Sequence, residues 1–202
     1  MAKRLKLPYI DTGAMYSAVT LKAMRQNVPL TDIKRLALIA RRARIRFGAA
    51  QSVFLDGRNV TKAIRTPELT KNVFYIAREA RIRREMVKKQ RALAKRSGAV
   101  MEGRDIGTVV FPKADYKFYF TASLDIRAKR RLKDLKGVGA GLKPAPTTLA
   151  EVRRAITLRD RSDRERKAGA LKVARGARML DTTGLTIEAT VDKILGVLEG
   201  GS

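Results

Sequence analysis

Arg104 and Asp105 stand side by side in the run AVMEGRDIGTVVFP, residues 99–112, where a short apolar stretch breaks into charge and turn residues and then resumes. A guanidinium offers a planar fork of donors to phosphate or carbonyl oxygens, while an ionised carboxylate only accepts. The pair could therefore hold an anionic group and an amino or hydroxyl group of one ligand. A solvated turn with a local ion pair would use the same residues. A second set, Arg159, Asp163 and Arg166, is spaced i, i+4, i+7 in LRDRSDRER and puts two guanidinium groups and one carboxylate on one helix face. That spacing also makes an ordinary surface ion-pair ladder. A third set, Arg127, Arg130 and Arg131, lies at the edge of an apolar stripe (Leu124, Ala128, Leu132, Leu135) and could clamp phosphates.

The elements that carry these sets follow from hydrophobic period and capping residues. Ala99-Val100-Met101 suits a strand covered on both faces, delivering its charged loop at the carboxyl end, where open α/β sheets place ligands. Before it, residues 1–7 read as the basic end of a helix and Pro8-Tyr9-Ile10 as an extended piece. Asp11-Thr12-Gly13 can cap a helix running to about Asn27, and Thr31 the next, with Ile33, Leu36, Ile39, Ala40 and Ala43 inward. From Arg44 the period falls to two, with Asp56-Gly57 as a hairpin turn. Thr66-Pro67-Glu68 opens a helix that continues, or is followed by another, to a stop at Gly98. Its Arg78, Arg81, Arg84, Lys88 and Lys95 read as a solvated basic face.

After the central loop, Tyr116, Phe118 and Phe120 alternate as a second core strand, followed by a helix capped by Ser123. The stretch GVGAGLKPAPT, residues 137–147, is expected to be a mobile loop. It is no phosphate loop, because GxxxxGK[ST] is not satisfied: Leu142 stands where the second Gly belongs and Pro144 follows Lys143. Thr148 with Glu151 forms a capping box for the helix bearing Arg159. A strand at Met179-Leu180 and a helix capped by Thr186, burying Ile187, Val191, Ile194 and Leu198, end the chain. Strand–helix alternation favours an α/β fold with a parallel sheet flanked by helices.

Composition narrows the chemistry. The 202 residues contain no cysteine and no histidine, which removes disulfides, thiolate and imidazole catalysis, and Cys- or His-based metal sites. Chemistry then falls to carboxylates, Lys, Arg, Tyr and hydroxyls, and works by positioning and electrostatics. With 45 basic and 19 acidic residues the formal charge is +26, which suits nucleotides or nucleic acids as partners. No apolar run can span a bilayer and the first residues lack a secretory h-region, so a cytoplasmic protein without membrane contact is expected.

In order along the chain, YIDTGAMY, VFLDGRNVTKAIRTPE, NVFYIAREARIR, GRDIGTVVFP, AKRRL, RDRSDRER and LDTTGLTIE resemble segments of bacterial cytidylate kinases. The resemblance implies a P-loop nucleoside monophosphate kinase-like domain over residues 1–202. Its core would occupy about 1–43, 67–125 and 169–202, its NMP-binding excursion about 44–66 and its Arg-rich lid about 126–168. It implies transfer of the ATP γ-phosphoryl group to CMP or dCMP, with Mg²⁺ carried by the ATP phosphates, no metal ligands from the protein, and a monomer.

The same resemblance places Thr12, Arg83, Arg104, Asp105, Arg159, Asp163 and Arg166 at CMP, with Arg83 and Asp105 on cytosine. It places Arg127, Arg130 and Arg131 at the ATP phosphates, with Arg127, Arg131 and Arg159 acting in catalysis. Three departures stand out. Ser17 occupies a phosphate-contacting Arg position, and Phe74 the position of a Ser that reads cytosine. The family's opening strand, Gly-rich loop and half-helix have no counterpart, so the ATP cradle is expected to be missing and turnover by residues 1–202 to be negligible. A non-catalytic nucleotide-binding remnant, or a protein binding nucleic acid non-specifically on a kinase-derived fold, are the alternatives.

Overall fold

The computed structural model describes residues 1–95, 97–137 and 148–200. It is an α/β fold in which parallel strands and helices alternate. After a one-turn helix α1 (Ala2–Leu5), strand β1 (Tyr9–Asp11) feeds helix α2 (Thr12–Arg25), whose first turn is capped by the Asp11 carboxylate accepting from the Ala14 amide at 2.9 Å. Helix α3 (Ile33–Arg42) is capped by Asp32 rather than the expected Thr31, since the Asp32 carboxylate accepts from Arg35 N at 3.0 Å.

Strands β2 (Ile45–Phe47), β3 (Val53–Leu55) and β4 (Arg58–Asn59) form an antiparallel excursion. Its β3–β4 turn uses Asp56 and Gly57, both at positive φ (51° and 90°), which matches the right-handed twist of the flanking strands. Thr66 caps helix α4 (Pro67–Ala77), and a break at Arg78-Glu79 separates it from helix α5 (Ala80–Ala94). The main core lies among α2, α3, α4 and α5, where Met15, Val19, Leu36, Leu69, Ile76, Ile82 and Met86 are fully buried.

Strand β5 (Val100–Glu102) pairs parallel to β1, with Asp11 beside Glu102. The apolar run that follows is a π-helical turn, Ile106–Val110. Strand β6 (Phe118–Thr121) pairs parallel to β7 (Arg178–Asp181). Among the described residues no hydrogen bond joins the two parallel pairs, so the sheet is two half-sheets with a cleft between β5 and β6. Here β6 differs from a core strand: Phe120 is 55% exposed.

Helices α6 (Leu124–Gly137) and α7 (Leu149–Glu165) pack on each other, α7 opening with the Thr148–Glu151 capping box. The segment of residues 137–147 read as a mobile loop lies, after Gly137, outside the described residues. Helix α8 (Ile187–Leu198) buries Ile194 but leaves Ile187, at its first turn, 79% exposed. No helix among the described residues is long and apolar enough to cross a membrane.

Candidate active site

The open carboxyl ends of β1 and β5, the start of α2, the end of α7 and the inner edge of β6 surround a cleft of about 2030 Å³. Parallel strands direct their C-terminal loops to one side, and the charged residues gather there. Thr12, the first residue of α2, is buried and donates to the Glu102 carbonyl at 2.7 Å, tying the ends of the two paired strands together.

Arg83 and Asp105 form the buried heart of the site. Arg83 leaves the end of the first turn of α5, donates from Nη1 to the Ala77 carbonyl at 2.8 Å and from Nη2 to Asp105 Oδ2, and is only 5% exposed. The Tyr16 ring lies 5.4 Å from its Cζ. Burial pushes the Tyr16 hydroxyl up to about 12, against the pull of the Arg83 charge, so the ring stays neutral beneath the cation. Two ionised groups removed from water are held by each other and by that carbonyl.

Asp163 organises the second group. Its Oδ2 accepts from Arg104 Nε at 2.7 Å, its Oδ1 lies 3.4 Å from Arg166 Nη1, and Arg159 Nε is 4.0 Å away. Arg166 caps the end of α7 rather than continuing it, and donates from Nε to the Gly169 carbonyl at 2.6 Å. Gly169 takes φ +62°, and a Cβ there would overlap the Arg83 guanidinium, so the chain after α7 lies directly on Arg83. Burial, followed by the neighbouring Arg83 charge, pulls the Arg166 pKa down. Four guanidinium groups, of Arg83, Arg104, Arg159 and Arg166, thus meet two carboxylates, of Asp105 and Asp163. The excess of two positive charges matches the charge of about −1.5 to −2 on a phosphate monoester at neutral pH.

Buried ionic groups and surplus guanidinium groups thus meet in one cleft. The family model described as cytidylate kinase matches residues 1–199. Proteins named cytidylate kinase are similar along nearly the whole chain. That of Desulforamulus reducens is 44% identical, the match covering 100% of this chain and 89% of its own. That of Caldanaerobacter subterraneus subsp. tengcongensis is 43% identical over 96% and 84%. That of Desulfitobacterium hafniense is 45% identical over 98% and 84%. This chain belongs to the cytidylate kinase family.

A cytidylate kinase is a phosphotransferase, and the arginines expected to serve ATP are divided by the fold. Arg131 lines the cleft. Arg130 turns away, donating to Thr182 Oγ1 at 3.2 Å and to the carbonyls of Thr182 and Leu185 at 2.6 and 3.0 Å. Arg127 pairs with Asp160 at 2.6 Å and lines a smaller cavity of about 360 Å³ between α6 and α7. Ser17 and Phe74, the two positions expected to differ from the family pattern, both line the main cleft, with the Arg78 guanidinium 5.0 Å from the Phe74 ring centroid.

Sequence reasoning overlooked Tyr16 and Gly169 as supports of the site. Tyr16 stood within YIDTGAMY and nothing in its local pattern singled it out. Gly169 lies four residues past the end of α7, beyond the position where a helix-ending glycine is usual, so no local signal marked it.

Proposed function

We propose that this chain binds CMP or dCMP in the cleft and that the family reaction, transfer of the ATP γ-phosphoryl group to the nucleotide's phosphate, is carried by its arginines. The observation that supports this most is the buried Arg83–Asp105 pair set directly against the Asp163-centred arginines. Together they offer a donor and an acceptor for cytosine at one end and cations at the other. Asp163 accepts from ribose hydroxyls, while Arg104, Arg159 and Arg166 meet phosphate oxygens.

The CMP phosphate is already ionised at neutral pH, so its oxygen attacks the γ-phosphorus with no general base required. That accords with a chain free of histidine. Positioning by the Arg83–Asp105 and Asp163 groups brings the acceptor oxygen in line. The guanidinium of Arg131, on the cleft wall, and that of Arg159 offset the charge spread over the moving group, with Arg127 reaching them only if it leaves Asp160. Among the described residues no cluster of three or more ligating side chains could hold a metal ion. Mg²⁺ bound with ATP would neutralise charge on the transferring group through the nucleotide's own phosphates.

A second reading rests on one observation: the 202 residues contain no GxxxxGK[ST] sequence. Without its amide cradle, Lys and hydroxyl, residues 1–202 bind CMP and turn it over negligibly. One experiment separates the two. CMP binding to residues 1–202 is measured by calorimetry, and ADP formation with CMP and Mg-ATP is assayed for the same protein and for a version preceded by a strand, a GxxxxGK[ST] loop and a helix. Binding with turnover only in the longer protein supports the second reading for residues 1–202. Comparable turnover by both removes it, and no CMP binding by either sinks the proposed site.

A further inference from the structure

The cleft uses only a few of the 45 basic residues. We propose that the outer face of helices α5 and α3 is a second binding surface, for the phosphate backbone of double-stranded nucleic acid. On α5, Arg81, Arg84, Lys88, Arg91 and Lys95 recur at intervals of three and four, which places them in one stripe along the helix. All are exposed, and the stripe lies opposite the buried face of Ile82, Met86 and Gln90. From Arg81 to Lys95 it runs about 21 Å, at about 1.5 Å per residue.

Helix α3 adds to the basic surface. It packs against α5, and Lys89 donates to the carbonyls of Arg41 and Ala43 at 2.9 and 2.8 Å, which sets the end of α3, with the exposed Arg41 and Arg42, against the flank of α5 that carries Lys89. Among the described residues Lys88 has Glu85 at 3.0 Å, but Arg41, Arg42, Arg81, Arg84 and Lys95 have no carboxylate at ion-pair distance. None of these residues lines the cleft, so the CMP site does not account for them.

The chemistry of the face selects the partner. A helix that lies on a membrane needs an apolar side to bury in it. Here the apolar sides of α3 and α5 are buried in the core, and Leu38 is the only large hydrophobic residue of either helix that is exposed among those described. Unpaired guanidinium and ammonium groups on a rigid, polar ridge instead suit a regular array of phosphates, where they displace condensed counterions.

The test uses residues 1–202 and fluorescein-labelled DNA and RNA duplexes of about 20 base pairs, with anisotropy read from low salt to physiological salt. The wild type is expected to bind saturably at physiological salt. The variant Arg81→Gln/Arg84→Gln/Lys88→Gln is expected to bind at least about tenfold more weakly, with the slope of log K against log salt reduced by about 2–3. A control, Lys113→Gln/Arg154→Gln/Arg175→Gln, removes the same charge from exposed sites elsewhere and is expected to lose much less. CMP binding should be unchanged in both variants. Equal losses in the two variants would reduce the face to diffuse charge and overturn the proposal. So would tighter binding to vesicles of phosphatidylserine than to either duplex, or no saturable binding at physiological salt.

Discussion

Asp163 Oδ2 accepts from Arg104 Nε at 2.7 Å, joining the loop after β5 to the end of α7 across 59 positions of sequence. The same carboxylate holds Arg166, so one side chain orients two cations that the fold would otherwise leave to repel each other.

Asp163→Ala is expected to weaken nucleoside recognition and Arg166→Ala phosphate recognition, each by about 1–3 kcal/mol, since the hydrogen bonds are charge-assisted. Calorimetry with CMP and with cytidine checks both. Cytidine affinity should fall in the first variant and stay nearly constant in the second. Unchanged CMP affinity in both would remove this group from the site.

Ser17→Arg should tighten CMP binding. Ser17 faces the cleft from α2, and a guanidinium there adds a fork of donors for phosphate. The gain should be absent for cytidine. An equal gain for cytidine and CMP would show that this position does not face the phosphate.

Arg83→Met should cost about 3–5 kcal/mol of folding stability, because Asp105 would be left as an unpaired buried charge. The double replacement Arg83→Met/Asp105→Leu should recover most of that loss in urea unfolding while abolishing CMP binding. A double variant no more stable than the single one would mean that the pair's geometry, rather than its charge balance, is what the core requires.

Asp56 ties the antiparallel excursion to α2 by accepting from Lys22 Nζ at 2.6 Å and from the Arg44 amide at 2.9 Å. Burial acts to raise its pKa, but these hydrogen bonds and the Lys22 and Arg44 charges outweigh it and lower the value. A folded-state pKa below the unfolded one means stability is fully present above the ordinary carboxylate value of 3.8 and is lost as pH falls through the lowered one. Asp56→Asn should cost about 1 kcal/mol at neutral pH and little at pH below the shifted value. A difference between the proteins that is constant with pH would refute this assignment.

Much of this was legible along the chain, for identifiable reasons. Local signals placed the caps at Thr66, Thr148 and Thr186 and narrowed another to Asp11-Thr12-Gly13, where Asp11 is the cap, because a side-chain oxygen satisfying a free amide is a property of a few adjacent residues. Arg104 and Asp105 stood out as charges interrupting an apolar run, whereas the Arg159, Asp163, Arg166 set stood out by a spacing that an ordinary ion-pair ladder also makes and took its expected role from the family resemblance. What escaped was set by contacts distant in sequence. Arg130 could not be told from Arg131 until β7 put the Thr182 and Leu185 carbonyls within its reach. Nor could the run after Asp105 be known for a π turn, whose carbonyls at Val109 and Val110 accept from Arg91 of α5. Asp32 prevailed over Thr31 as a cap through a choice between neighbours that either sequence pattern allows.

The division of the parallel strands into two pairs changes how the molecule should breathe. In an undivided sheet the central strands exchange their amide hydrogens slowest, because both edges are bonded. Here β5 and β6 each have one edge without a strand partner among the described residues, and that edge borders the cleft. Deuterium uptake should therefore be slowest in α2 and α5, around Val19 and Met86, and markedly faster in the short strands that frame the ligand. A nucleotide that bridges the two walls would then be felt as slowed exchange on both sides of the gap at once.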